Sequence, residues 1–214
     1  MFGTEIMMTT TKVFKPLPEQ QKIIDSTEPS IKVKAGAGAG KTTTLASYSE
    51  ARPKKKIMYL AFNKAIQTEA ESRFPKNVVC RTTHSIAYGK EGVKYKQKLA
   101  PGIRAIEVSR KFSVNIGHAY AGITTLNAWL HSADKAITQE HAREAGVPNN
   151  NILKAMQIAK ETWDVMIRTD DLSVPMVHDG YLKLYQLAGH QFNGFDIVLM
   201  DEAQDDPTRS PRAS

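Results

Sequence analysis

Apolar positions in the first ninety residues fall in short continuous runs between turns, whereas beyond residue 90 they recur at helical spacing. Lys56-Ile57-Met58-Tyr59-Leu60-Ala61-Phe62 is an unbroken run of strand length, the pattern of a parallel strand covered on both faces. Asn77-Val78-Val79-Cys80-Arg81 reads as another strand, and Ile31-Lys32-Val33-Lys34 alternates as a strand would. Between them, helices are predicted from Pro16 to Ile24 with proline near the first turn, from Lys41, from Asn63 to about Phe74, and opening at Thr83. Residues 1–15 show no period and read as a loose leader. Strands alternating with helices predict an α/β fold on a doubly wound parallel sheet.

From 91 to 190 the pattern holds helices and polar loops with no convincing strand. Helices are expected over Thr124–Ala133 and Thr138–Ala145, the second stopped by Gly146-Val147-Pro148. Asn150 or Asn151 then caps a helix that places Ile152, Leu153, Met156, Ala159, Trp163, Met166 and Ile167 on one face, read as packing. Phe195-Asp196-Ile197-Val198-Leu199-Met200 returns to strand character. The α/β layer is therefore expected over 16–90 and 191–206, interrupted by a helical insertion over 91–190 and followed by a polar tail, 207–214. Trp129 and Trp163 are read as core, and His178 as packing beside Tyr181.

Charge is uneven: residues 1–100 carry 18 Lys/Arg against 8 Asp/Glu, and 101–214 carry 11 against 14. A basic half suits contact with a polyanion, although many soluble domains share this balance. The single cysteine, Cys80, excludes an internal disulfide and a cysteine-based zinc cluster and fits a reducing compartment. No stretch approaches a membrane span, so no membrane contact and a cytoplasmic protein are expected.

Candidate chemistry enters at Ala35-Gly36-Ala37-Gly38-Ala39-Gly40-Lys41-Thr42-Thr43, a glycine-rich loop between a strand and a helix start. The phosphate-binding pattern is Gly-x4-Gly-Lys-[Ser/Thr], and Ala35 stands at its first glycine. Backbone N–H groups turned inward at a helix N-terminus cradle phosphate; Lys41 reaches the β- and γ-phosphates, and the Thr42 hydroxyl takes a Mg²⁺ position. ATP–Mg²⁺ is the expected ligand. Asp201-Glu202 follows an apolar strand, where carboxylates face the ligand crevice of a parallel sheet. Asp201 is assigned to Mg²⁺ through water and Glu202 to the attacking water.

These segments, with Asp201-Glu-Ala-Gln-Asp205, resemble motifs I and II of the UvrD/Rep superfamily-1 DNA helicases, in which alanine at the first loop position is usual. Glu19-Gln20-Gln21 is similar to the Q motif, with Gln20 reading the adenine edge and Gln21 the alternative register. Ala61-Phe62-Asn63-Lys64-Ala65 resembles motif Ia, Thr82-Thr83-His84 motif Ib, and Gln204 the glutamine that couples nucleotide state to DNA. Ala61–Ala65, Arg81–Tyr88 and Met176–Leu184 look like the F-box DNA helicase-like branch, and with no F-box preceding them a bacterial or phage source is expected.

The resemblance implies a P-loop NTPase of RecA-like fold carrying a 1B-type insertion. It also implies ATP hydrolysis coupled to movement on single-stranded DNA or a single-strand/duplex junction, with Phe62, Asn63, Thr82 and His84 lining the strand track. For those four, capping or packing is the competing structural role. With few residues after Asp205, motifs III to VI are absent, so the chain is expected to bind nucleotide and to unwind only if a second polypeptide supplies another RecA-like domain. The alternatives are a non-catalytic nucleotide- or DNA-binding fragment and another P-loop NTPase.

Overall fold

The computed structural model describes residues 14–36 and 38–200. At its centre lies β1 (Ile57–Ala61), buried at every position. A strand can bury both faces only where neighbours satisfy its backbone and helices cover it. Two neighbours do so: β2 (Val78–Thr82) and β3 (Ile197–Met200) both run parallel to β1, in the order β2–β1–β3. Ile57 pairs with Val78 and Ile197, and Leu60 with Arg81 and Met200, so the carboxyl ends of all three strands lie side by side. The α/β reading holds as a small parallel sheet.

The alternating segment Ile31–Lys34 is a correction, because it forms no strand. Alternation marks a strand only when one face has something to cover it, and Ile31 and Val33 remain 41% and 47% exposed. Among the described residues the outer edge of β3 has no partner strand.

Three helices serve the sheet. α1 (Pro18–Asp25) opens on proline, as its sequence predicts. α2 (Lys41–Glu50) runs back from the loop to the start of β1, and its Tyr48 joins Ile57, Tyr59, Cys80 and Leu199 in the sheet core. α3 (Lys64–Arg73) carries the buried Gln67, which donates to the Cys80 carbonyl at 3.1 Å. Burial pushes the Cys80 thiol up to about 11, with Glu71 adding to the shift, in keeping with a packed residue.

α4 (Thr83–Ala87) follows β2 directly and leaves the sheet through a π turn over Tyr88–Gly92 and a 3₁₀ turn over Val93–Lys98. Five helices follow: α5 (Ala105–Phe112), α6 (Ile116–Leu130), α7 (Gln139–Glu144), α8 (Ile152–Met166) and α9 (His178–Leu187). Their core includes Ala87, Leu126, Trp129, Met166 and Tyr181. An isolated parallel bridge, Leu99↔Met176, is the sole β pairing described between 91 and 190.

The helical boundaries differ from the sequence reading in instructive ways. α6 starts at Ile116, well before Thr124, because the Asn115 carboxamide accepts from His118 N at 2.8 Å and caps it there. α7 ends as expected, with Gly146 left-handed at φ 72°. α8 buries Ala155, Ile158, Thr162 and Val165 besides Ile152, Ala159 and Met166, while Leu153 is 63% exposed. A single stripe was too simple, since α6 and α7 both pack on α8. Past its end, the buried Lys98 donates to the carbonyls of Val165, Arg168 and Asp171 at 3.2, 2.8 and 2.5 Å.

Candidate nucleotide-binding site

The phosphate loop is shaped by its glycines. Gly38 and Gly40 take φ of 74° and 75°, left-handed conformations that L side chains rarely adopt, and Gly40 is the N-cap of α2. Ala39 N donates to Gly36 O at 3.3 Å and Thr44 N to Gly40 O at 2.9 Å, so the turn passes straight into the helix. Lys41, Thr42 and Thr43 are the first three helical residues and each is half-buried. No acidic residue stands in that first turn of the helix, whose N-terminal N–H groups carry the positive end of its dipole. Among the described residues a Cβ on Gly36 or Gly38 would meet nothing within 4 Å. A left-handed glycine turn leading straight into a helix N-terminus fits a phosphate group. Ala35 and Ala39 belong to this segment; Ala37 lies outside the described residues.

Gln20 and Gln21 differ in their contacts. Gln20 Oε1 accepts from Leu17 N at 2.9 Å while its Nε2 donates to Ala39 O at 3.1 Å, joining the start of α1 to the loop. A Cβ on Gly40 would lie 3.2 Å from that same Nε2, so glycine lets the glutamine seat. Gln21 turns the other way and donates to Asp25.

Phe62, Asn63, Thr82 and His84 gather at the carboxyl ends of β1 and β2, the edge to which β3 also leads. Phe62 is 58% exposed there. Asn63 and Thr82 have structural work: Asn63 Oδ1 accepts from Ile66 N at 2.9 Å, and Thr82 Oγ1 from Ser85 N at 3.1 Å, each capping a helix. Thr82 is also buried, so its side chain offers little to a ligand. His84 is exposed, and its Nε2 lies 3.4 Å from Asp179 Oδ1. Asp201, Glu202 and Gln204 lie outside the described residues.

Sequence reasoning missed what braces His84. Asp179, in the first turn of α9, also meets His131 Nε2 at 3.1 Å, so one carboxylate ties α4 to the ends of α6 and α9. Its pKa is held low, first by the His84 hydrogen bond and then, against the opposing effect of burial, by His131. Asp179 lies inside the quoted Met176–Leu184 segment, but nothing local there points to partners so distant in sequence; its neighbour His178 has Nδ1 2.9 Å from Tyr181 OH, as expected of a packing pair. Among the described residues no group of three or more His, Cys, Asp or Glu could hold a metal ion. A depression of about 390 Å³ between α6 and the α7–α8 connection, beside His118, Tyr120 and Pro148, contains none of the expected site residues.

The chain is 32% identical over 219 positions to F-box DNA helicase protein 1 of Schizosaccharomyces pombe, an alignment covering 89% of this chain and 25% of that protein. It is 34% identical over 211 positions to F-box DNA helicase 1 of Gallus gallus, covering 87% of this chain and 21% of that protein. The chain thus spans a quarter or less of these relatives. No family model matches it, and no solved structure matches it. Both relatives are eukaryotic, which gives a bacterial or phage source no support, and nothing in them supports a second polypeptide partner. Among the described residues no helix is long and apolar enough to cross a membrane. The chain has its homologues among DNA helicases.

Proposed function

We propose that this chain is the nucleotide-binding part of an ATP-dependent DNA helicase of the UvrD/Rep kind. The observation that carries the proposal is the left-handed Gly38–Gly40 turn at the start of α2, with Gln20 seated against it. Lys41 would hold the β- and γ-phosphates, Thr42 and Asp201 the Mg²⁺ ion, and Gln20 the adenine edge. The metal, when bound, supplies charge neutralisation between the phosphates. Glu202 would then orient and deprotonate the attacking water, and Gln204 would report nucleotide state towards the strand track. On the track, Phe62 is free to stack on a base and His84 to meet the backbone, whereas Asn63 and Thr82 act by fixing α3 and α4. Movement along DNA and unwinding belong to this proposal for the helicase as a whole.

Phosphate release measured with and without oligo-dT tests it. The expected result is turnover raised by the oligonucleotide and abolished by Glu202→Gln, with nucleotide binding retained. Turnover unaffected by Glu202→Gln would overturn the assignment of the catalytic carboxylate, and binding with no turnover in either protein would leave a non-catalytic fragment.

A further inference from the structure

The opposite end of the sheet carries a feature that the nucleotide site does not use. Three connections converge at the amino ends of the strands: residues 51–56 before β1, residues 74–77 before β2, and residues 195–196 before β3. They are cross-braced. Asn77 Nδ2 donates to Ser49 O, Arg52 O and Lys55 O at 3.3, 3.0 and 3.1 Å. On the other side, Lys56 N donates to Asp196 Oδ2 and Asp196 N to Lys56 O, both at 2.8 Å.

This braced rim presents Lys54, Lys55, Lys56 and Lys76, all exposed. Lys55 reaches Asp196 at 3.5 Å across open surface, and Lys56 Nζ lies 5.1 Å from the centroid of the half-buried Phe195 ring. Lys54 and Lys76 have no hydrogen bond or ion pair among the described residues. Arg52 is committed to structure: it donates to Ile24 O, Tyr48 O and Ser26 O and lies 3.6 Å over the Tyr48 ring. The acidic residues on the elements that lead into the rim are Glu50 and Asp196, and at the end of α3 Glu69, paired with Arg73, and Glu71, which accepts from Gln67; Asp25 is bonded to Gln21 beyond Arg52. Cations at the ends of α2 and α3 offset the negative ends of those helix dipoles, but α3 already has Arg73 in its last turn, and four lysines exceed that need.

We propose that this rim is a second nucleic-acid surface, one that takes the phosphate backbone without reading sequence. Lysines are mobile point charges suited to phosphates in any register, while base readout favours the fixed fork of arginine. The cross-bracing holds 51–56 as a folded surface, so a nucleic-acid backbone suits it better than a receptor groove that threads an extended basic peptide. α2 carries the chain about 15 Å from the phosphate loop to this rim, so the two sites act separately. The inference does not rest on the nucleotide reading and survives if ATP binding fails.

The test is fluorescence anisotropy of a labelled 20-base-pair duplex between 50 and 200 mM salt, with Lys54→Gln/Lys76→Gln, Lys54→Glu/Lys76→Glu and the unchanged chain. Thermal melting and far-UV circular dichroism check that the fold is intact. Each phosphate contact contributes about −0.9 to the slope of log K against log salt, so the double variants should lose about 2 from its magnitude, with glutamate weakening binding more than glutamine. Equal slopes and affinities in all three proteins would overturn the proposal. So would polyglutamate competing as well as DNA at equal charge, which would assign the rim to an acidic protein.

Discussion

Gly122→Ala tests whether the helical unit is held by close contact between α6 and α8. Gly122 is buried on α6, and a Cβ built there would stand 2.7 Å from Ile158 Cβ, closer still to Ile158 Cγ2, and 3.5 Å from Ala159 N. Ile158 is 1% exposed and β-branched on a helix, so its χ1 has one favoured rotamer and cannot swing aside. Overpacking of this kind costs about 1–3 kcal/mol, and two contacts under 3 Å put this case near the upper end. Alanine returns about 1 kcal/mol through its better helix propensity. The expected net loss is therefore about 2 kcal/mol, or roughly 4–8 °C in Tm for a chain of this size. Calorimetry or urea unfolding reads it directly. Adding Ile158→Ala should give a double mutant more stable than the sum of the single losses, because each change relieves the other. An unchanged or higher Tm for Gly122→Ala would refute the packing argument.

Two further predictions concern titratable groups with shifted pKa values. Lys183 is 1% exposed, bonds to Ser132 O at 2.9 Å and lies over Trp129; burial pulls its pKa down to about 8, against the weaker pull of Asp134. The unfolded chain holds that proton to about 10.4, so between pH 8 and 10 it binds more protons than the folded chain, and stability should rise with pH through that window. Lys183→Met should lack this rise in urea titrations at pH 7.5 and 9.5, and an identical rise in both proteins would exclude the explanation. Asp179 is shifted in the same direction, in the acid range: its depressed pKa contributes stability above the ordinary carboxylate range, lost as pH falls through the folded value. At 41% exposure the contribution is at most about 1 kcal/mol after solvent screening. Asp179→Asn should speed hydrogen exchange in α4 at pH 7 and flatten the acid limb, and unaltered exchange in α4 would show that the brace does not hold it.

What could be read from the sequence was what local chemistry dictates. β1 announced itself as an apolar run with no polar interruption, and Asn63 and the proline of α1 marked helix starts through interactions spanning three residues or fewer. Gly38 and Gly40 were legible because few other residues accept their backbone conformation. Illegible were features that depend on distant partners. Ile31–Lys34 has the alternation of a strand but no covering layer, and Leu153 belonged to the expected stripe yet faces solvent because α8 is packed from two sides. The Asp179 brace joins residues 95 and 48 positions apart, and a lone Asp in a helix's first turn gives no sign of such partners. The capping roles of Asn63 and Thr82 were foreseen as the alternative to DNA contact, and the geometry favours them.

The central claim is that Gly36–Thr43 is a phosphate-binding loop. Titrating the folded chain with a fluorescent ATP analogue, with and without Mg²⁺, tests it most directly, using Lys41→Ala as the comparison. The account predicts saturable binding that Mg²⁺ strengthens and Lys41→Ala weakens about 10- to 100-fold, the worth of a charge-assisted bond to phosphate at roughly 1.5–3 kcal/mol. Absence of binding by the folded chain, or equal affinity in the two proteins, would contradict it.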